Sequence, residues 1–278
     1  MTKTILITGA STGIGEACAL HLDALGHRVY AGVRREEDAD RLRTEASDRL
    51  VPVFLDVTDD AQIEAAAKTI DEDVGSLTGV VNNAGIGRGG PLEYLPIQEW
   101  RDQLEVNVIG QVAVTRAVLP LLRKDRGRIV FIGSIGGRLG SSLMGPYAAS
   151  KFAIEGIGEA LRHELHPWGM HVAVVEPGAI KTPIWAKADE TMERLRRDLP
   201  PEALEHYEPH IALFEKGRHD AEKRGVGPEK VAKAVEHALF ARRPNHRYLV
   251  GPDAKLMGNL TRVLPDKAKE AIIRRFSG

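Results

Sequence analysis

Apolar residues along this chain follow two rhythms. Short β-branched runs recur, and between them apolar positions fall three and four residues apart. The first rhythm marks buried strands and the second marks amphipathic helices. Residues 3–8 (KTILIT), 27–33 (HRVYAGV), 50–57 (LVPVFLDV), 77–85 (LTGVVNNAG), 127–134 (GRIVFIGS) and 170–178 (MHVAVVEPG) read as strands. The segments between them read as helices: EACALHLDALG with Gly26 as its stop, a charged helix ending near Ser47, and DDAQIEAAAKTIDEDVG with acids at its start. Two more follow, from Pro96 to Lys124 and from Tyr147 to about Trp168. A helix from Pro228, a strand near Arg247–Val250 and a basic helical tail over 252–278 close the chain. Such alternation predicts right-handed βαβ units in one doubly wound α/β domain spanning 1–278, with a mostly parallel seven-stranded sheet and helices on both faces. The stretch 183–227 breaks the rhythm. It is charged, irregular and too long for an ordinary connection, so it is expected to be a substrate loop or lid.

Two stretches at predicted strand ends carry chemistry. Residues 134–151 read SIGGRLGSSLMGPYAASK. Tyr147 and Lys151 are four apart, hence one turn apart on one helix face. A free phenol titrates near pH ~10, and a neighbouring ammonium favours the phenolate. Ser134 returns on the preceding loop, where its hydroxyl can meet a substrate oxygen. Taken alone, the Tyr-x-x-x-Lys spacing more often marks an interfacial tyrosine and a snorkelling lysine on an amphipathic helix. The other stretch is TGASTGIG, Thr8 to Gly15, directly after a strand and before a helix. Its glycines let backbone approach a pyrophosphate at a helix N-terminus. The spacing is Gly9-x-x-x-Gly13-x-Gly15, with Ser11, Thr12 and Ile14 between.

TGASTGIG, NNAG (82–85), Asn107, Ser134, Tyr147-x-x-x-Lys151 and PGAIKT (177–182) stand in an order and spacing that resembles the short-chain dehydrogenase/reductase family. The resemblance covers roughly residues 3–182. It implies a Rossmann-type sheet, a nicotinamide cofactor and a Ser-Tyr-Lys catalytic set with an asparagine in support. Tyr147 would be the acid in reduction and the base in oxidation. Lys151 would lower its pKa and hold the nicotinamide ribose, Ser134 would orient the substrate oxygen, and Asn107 would support a proton relay. Gly9, Ser11, Thr12, Gly13, Ile14, Gly15, Asn83, Ala84, Gly85, Pro177, Gly178, Ile180 and Thr182 would contact the cofactor. Asp56 would accept from the adenine amine, with the Val57 backbone beside it. Where relatives that prefer NAD carry an acid, this chain has Val33, followed by Arg34 and Arg35. A guanidinium pairs bidentately with a phosphate, so NADP(H) is expected over NAD(H).

Composition narrows the rest. A formal net charge of -1 gives no case for nucleic acid. The single cysteine, Cys18, excludes an intrachain disulfide and sits among helical apolar neighbours, as a buried structural thiol does. His163 and His166 lack a third ligand, so no metal is expected. The N-terminus enters a strand at once and no run reads as a membrane span, so a cytoplasmic protein is expected. Ile86, Leu92, Leu139, Leu143 and Met144 fall where a substrate wall is expected and favour a lipophilic alcohol or ketone. YAASKFAIEGIGEALRHEL and RYLVGPDAKL resemble the hydroxysteroid and retinol dehydrogenase branch. The alternatives are a 3-ketoacyl reductase and a non-catalytic NADP-sensing protein. By analogy with the family, a homodimer or homotetramer is expected.

Overall fold

A computed structural model describes residues 2–183, 193–194 and 196–277. Seven strands form one sheet in the order β3-β2-β1-β4-β5-β6-β7, and every pairing is parallel. They are β1 (Thr4–Ile7), β2 (Arg28–Val33), β3 (Leu50–Phe54), β4 (Gly79–Asn82), β5 (Arg128–Ile132), β6 (His171–Pro177) and β7 (Arg247–Val250). The order runs outward from β1 in both directions. The reversal point therefore lies between β1 and β4, where ligands of open α/β sheets bind.

Helices cover both faces, as parallel strands require. α1 (Gly13–Ala24), α2 (Glu36–Glu45) and α8 (Glu229–Phe240) bury Leu22, Leu42 and Val235 on one side with Ile5, Ile7 and Val175 of the sheet. On the other side α3 (Asp60–Val74), α5 (Gly110–Lys124) and α6 (Gly145–Leu165) bury Ile70, Leu122 and Ile154 with Leu6, Phe131 and Val174. Alternate residues of one strand thus serve opposite cores, which explains the continuous apolar runs in the sequence. Cys18 is fully buried in the first core, and burial pushes its thiol up to about 12. It is structural.

Two regions differ from the sequence reading. α4 (Ile97–Leu104), a π turn (Glu105–Ile109) and α5 join into one 28-residue rod, Ile97–Lys124, that is long and apolar enough to cross a membrane. The same rod buries Gln103, Asn107 and Gln111 against the segment that follows β4, as a core helix does. The second region is the expected lid. Residues 184–192 lie outside the described residues, but Pro201–Arg224 is one helix, α7, rather than irregular chain. Its charges pair along and beyond the helix (Arg218 with Glu222 at 3.5 Å, Glu208 and Glu215 with Arg196 at 2.9 and 3.1 Å). Only Ala203 and Ile211 are fully buried, so the apolar stripe is too thin to announce a helix. α9 (Pro252–Val263) and α10 (Asp266–Ser277) follow β7.

Candidate active site

The turn after β1 is shaped by close backbone approach. Gly13 has φ of +63°, a region that disfavours side chains. A Cβ on Gly15 would stand 2.2 Å from the Gly9 carbonyl oxygen and 2.4 Å from Asn83 Nδ2. Asn83 Nδ2 donates to the carbonyls of Thr8 (3.0 Å) and Gly9 (2.9 Å). The Thr8 hydroxyl in turn accepts from the N–H groups of Asn83 (3.0 Å) and Ala84 (2.9 Å). These four bonds lock the ends of β1 and β4 together across the reversal point. Asn83 thus ties the two strands beside the cofactor turn, and the role of Thr8 has no local sequence signal, because it depends on a partner 75 residues away.

The loop 177–182 closes over this turn. Thr182 lies 3.2 Å from where a Gly13 Cβ would be, and Ile180 bridges to Val226. An open cleft of about 670 Å³ beside the turn is lined by Thr12, Gly13, Glu16, Arg35, Arg41 and Lys181, among others. The glycines, the exposed helix N-terminus and this cleft fit a dinucleotide pyrophosphate. At the end of β2, Arg34 is 67% exposed and its Nη1 stands 3.6 Å from Asp56 Oδ2. Arg35 instead binds Asp38 through two hydrogen bonds, of 2.9 and 3.1 Å. Arg34 is therefore the less committed of the two. Arg41 of α2 donates to the Ser11 carbonyl and pairs with Glu16, a contact no local sequence signal announces. Burial opposes ionisation of Asp56, but the Thr58 N–H and hydroxyl, with Arg34, hold its carboxyl below its ordinary range. The cap of α3 is Asp59, which accepts from Gln62 N at 3.1 Å.

Across the reversal point, Ser134 follows β5 by two residues. Its Oγ accepts from Gly136 N at 3.0 Å, which fixes a 3-10 turn over Ile135–Gly137. That turn lies on α6: a Cβ on Gly136 would be 3.3 Å from the Tyr147 ring, and one on Gly137 would be 2.8 Å from the Lys151 carbonyl. Ser134, Tyr147 and Lys151 are thus brought together. Burial raises the Tyr147 pKa, and a hydrogen bond with Ser134 acts the other way. Lys151, only 5% exposed, donates to the Ile132 carbonyl at 2.8 Å and lies 5.7 Å from the Tyr147 ring centre. Burial lowers its pKa to about 8. Desolvation thus acts against the charged form of both groups.

Asn107 lies in the π turn, a feature that often marks functional sites. Its amide clamps Ile86, accepting from the N–H at 2.8 Å and donating to the carbonyl at 3.0 Å, and it reaches Ser150 Oγ at 3.2 Å. The Asn107 side chain is therefore committed, and the irregular turn disturbs the surrounding backbone ladder. Ser150 donates to the Tyr147 carbonyl at 2.7 Å and so links the asparagine to the catalytic helix. Gln111 donates to the Ala84 carbonyl at 2.9 Å, a second tie that the sequence did not announce. Among the described residues there is no cluster of three or more His, Cys, Asp or Glu that could hold a metal.

The profile of the short chain dehydrogenase family matches residues 3–193. The 17-beta-hydroxysteroid dehydrogenase type 6 of Bos taurus is 38% identical over 283 residues, covering 98% of this chain and 88% of that protein. Retinol dehydrogenase 5 of Mus musculus is 37% identical, covering 97% of this chain and 87% of its own. A short chain dehydrogenase from Burkholderia cenocepacia J2315, solved in complex with NADP, superposes with a TM-score of 0.75 at 27% identity, covering 100% of this chain and 98% of that one. The chain belongs to the short-chain dehydrogenase/reductase family, in the branch that holds hydroxysteroid and retinol dehydrogenases. It is an oxidoreductase acting on CH–OH groups, and its family binds NAD(P).

Proposed function

We propose that this enzyme interconverts a lipophilic primary or secondary alcohol and its carbonyl with NADP(H), on a site made of Ser134, Tyr147 and Lys151. The observation that carries this reading is the meeting of those three side chains at the end of β5, across the reversal point from the glycine turn. Tyr147 holds the proton that a carbonyl oxygen receives on reduction. Ser134 orients that oxygen, and Lys151 supports the phenol and the cofactor ribose. Asn107 acts by holding the Ile86 loop and, through Ser150, the start of α6. The nicotinamide, when bound, supplies or accepts the hydride. Gly9 to Gly15, Asn83 to Gly85 and Pro177 to Thr182 would hold it, Asp56 and Val57 would meet the adenine, and Arg34 would read the 2′-phosphate.

The chain is read as one catalytic unit, with 183–227 as its substrate lid. Leu143 is buried with Leu199, Ala203 and Ile211, and Tyr94, Tyr207 and Phe214 pack against them. An apolar wall of this kind suits the substrate types named for the relatives, hydroxysteroids and retinols. Turnover of NADPH with androstane-3,17-dione, retinal and decanal tests the reading. Reduction of none of them, with NADPH bound, would remove the lipophilic assignment.

Cofactor preference rests on Arg34. In Arg34→Ala, affinity for NADPH is expected to fall about 10–100-fold, the scale of hydrogen bonds to a charged group, and that for NADH to stay within about 2-fold. Tryptophan fluorescence titration with each cofactor reads this directly. Equal losses, or a wild type that prefers NADH, would exclude Arg34 as the phosphate reader.

A homodimer is also expected. α6 lies beside α4 and the π turn, and this side of the molecule exposes Ile109 (54%) and Phe152 (47%). A double variant, Ile109→Asp with Phe152→Asp, should elute as a monomer in light-scattering chromatography. A monomeric wild type would refute the interface.

A further inference from the structure

Three parts of the candidate site send charged side chains into one buried cluster. Arg138 directly follows the Ser134 turn. Its Nη2 donates to Glu176 Oε1 at 2.6 Å, and its Nε lies 2.5 Å from Oε2. Glu176 is fully buried on β6, next to Pro177, where the loop 177–182 begins. Arg247 of β7 lies 3.7 Å from Glu176 and donates at 2.8 Å to Glu155, which stands one helical turn after Lys151 on α6. Gly133 and Gly137 lie beside the cluster: a Cβ on Gly133 would be 3.5 Å from Glu155 Oε1, and one on Gly137 would be 3.4 Å from Glu155 Cγ. Glu176 is wholly out of water and Arg138 and Glu155 are nearly so, which invites a reason beyond stability, since buried pairs seldom stabilise more than apolar residues of like size.

We propose that Arg138 is a positioning residue: through Glu176 it fixes the Ser134 turn relative to the Tyr147–Lys151 helix and the 177–182 loop. This rests on the catalytic reading of Ser134, Tyr147 and Lys151. The distances explain how it acts. The Ser134 turn meets α6 through the hydrogen bond of Ser134 with Tyr147 and through Gly136 and Gly137, whose bare faces add no side chain to set the register. Arg138 supplies a further anchor, donating from Nη2 to Glu176 Oε1 on β6 with its Nε beside Oε2. Arg247 then carries the same anchor to α6 through Glu155. A shift of about 1 Å at a reacting group is enough to cost about 100-fold in rate.

The test uses the full chain with NADPH and whichever of androstane-3,17-dione, retinal or decanal the wild type reduces. Arg138→Met leaves the buried Glu176 with only the more distant Arg247, so it is expected to lower both the melting temperature and kcat. The double variant Arg138→Met/Glu176→Gln removes both charges and should recover most of the melting temperature. Its kcat should stay about 10–100-fold below wild type, with NADPH affinity within about 2-fold. Arg138→Lys, which keeps one grip on Glu176, should recover part of kcat. Recovery of kcat along with melting temperature in the double variant would reduce Arg138 to a structural role and overturn the proposal. So would an Arg138→Met enzyme of unaltered kcat. Tyr147→Phe run in parallel separates the two levels: turnover surviving there would sink the catalytic reading itself.

Discussion

Tyr147→Phe is expected to lower kcat by about 10²–10⁴-fold, the range for loss of a positioned general acid, with NADPH binding within about 2-fold of wild type. The ring stays, so its packing on Gly136 stays; only the hydroxyl and its hydrogen bond with Ser134 go. The pH dependence follows from the surroundings of the two groups. Burial holds the Tyr147 phenol above its ordinary value, so at neutral pH it carries its proton. Reduction uses that protonated form and should be level below about pH 8. Oxidation uses the phenolate, so its rate should climb with pH. Lys151 titrates near 8 because it is buried, so its positive charge is present below that pH and fades above it. Reduction should accordingly decline on the alkaline side, where the support of the ammonium is lost. Initial rates in both directions from acid to alkaline buffer decide this. A Tyr147→Phe enzyme within about 3-fold of wild type would remove Tyr147 from the chemistry, and an oxidation rate that falls with pH would reverse the proton assignment.

The strands and most helices were legible because each parallel strand buries both faces and each covering helix buries one stripe. The residues of the site were legible where a residue type at a strand end carries the information, as with Ser134, Tyr147 and the glycines. They were not legible where the information lies in a partner far along the chain. Thr8, Arg41, Gln111, Arg138 and Glu176 each act through contacts that no local pattern announces. Asn107 shows the boundary between the two. Asparagine is a poor helix former, and the chain takes a π turn around it. The target of its amide, the backbone of Ile86, became visible only with the two segments folded together. α7 failed for the opposite reason: a helix held largely by ion pairs and two buried residues offers no apolar period to read. The rod from α4 to α5 misled in a third way. Its polar side chains break the apolar run by eye, yet its average is apolar enough to pass for a membrane span.

The glycine turn supports the other large effect. Gly15→Ala should abolish measurable binding of either cofactor, a loss of about 100-fold or more, even though Gly15 does not have the positive φ of Gly13. The reason is contact. Its Cβ would sit 2.2 Å from a backbone oxygen and 2.4 Å from the Asn83 amide that ties β1 to β4. Neither can yield alone. Moving the Gly9 carbonyl reshapes the turn, and moving Asn83 breaks two hydrogen bonds that hold the neighbouring strand end. A tightly filled interior resists such an insertion at a cost of about 1–3 kcal/mol, and here the strain falls on the backbone that must present its N–H groups to the pyrophosphate. Gly26→Ala provides the contrast. Gly26 has φ of +84° with nothing within 4 Å of its Cβ position, so the substitution strains the backbone in open space. It should cost about 1 kcal/mol of stability and leave cofactor binding intact. Comparing melting temperature with NADPH affinity in the two variants separates strain from occlusion. Gly15→Ala that still binds NADPH at wild-type strength would mean that the cofactor does not lie against this turn. Loss of binding in Gly26→Ala as well would mean that general destabilisation, rather than the shape of the turn, governs both results.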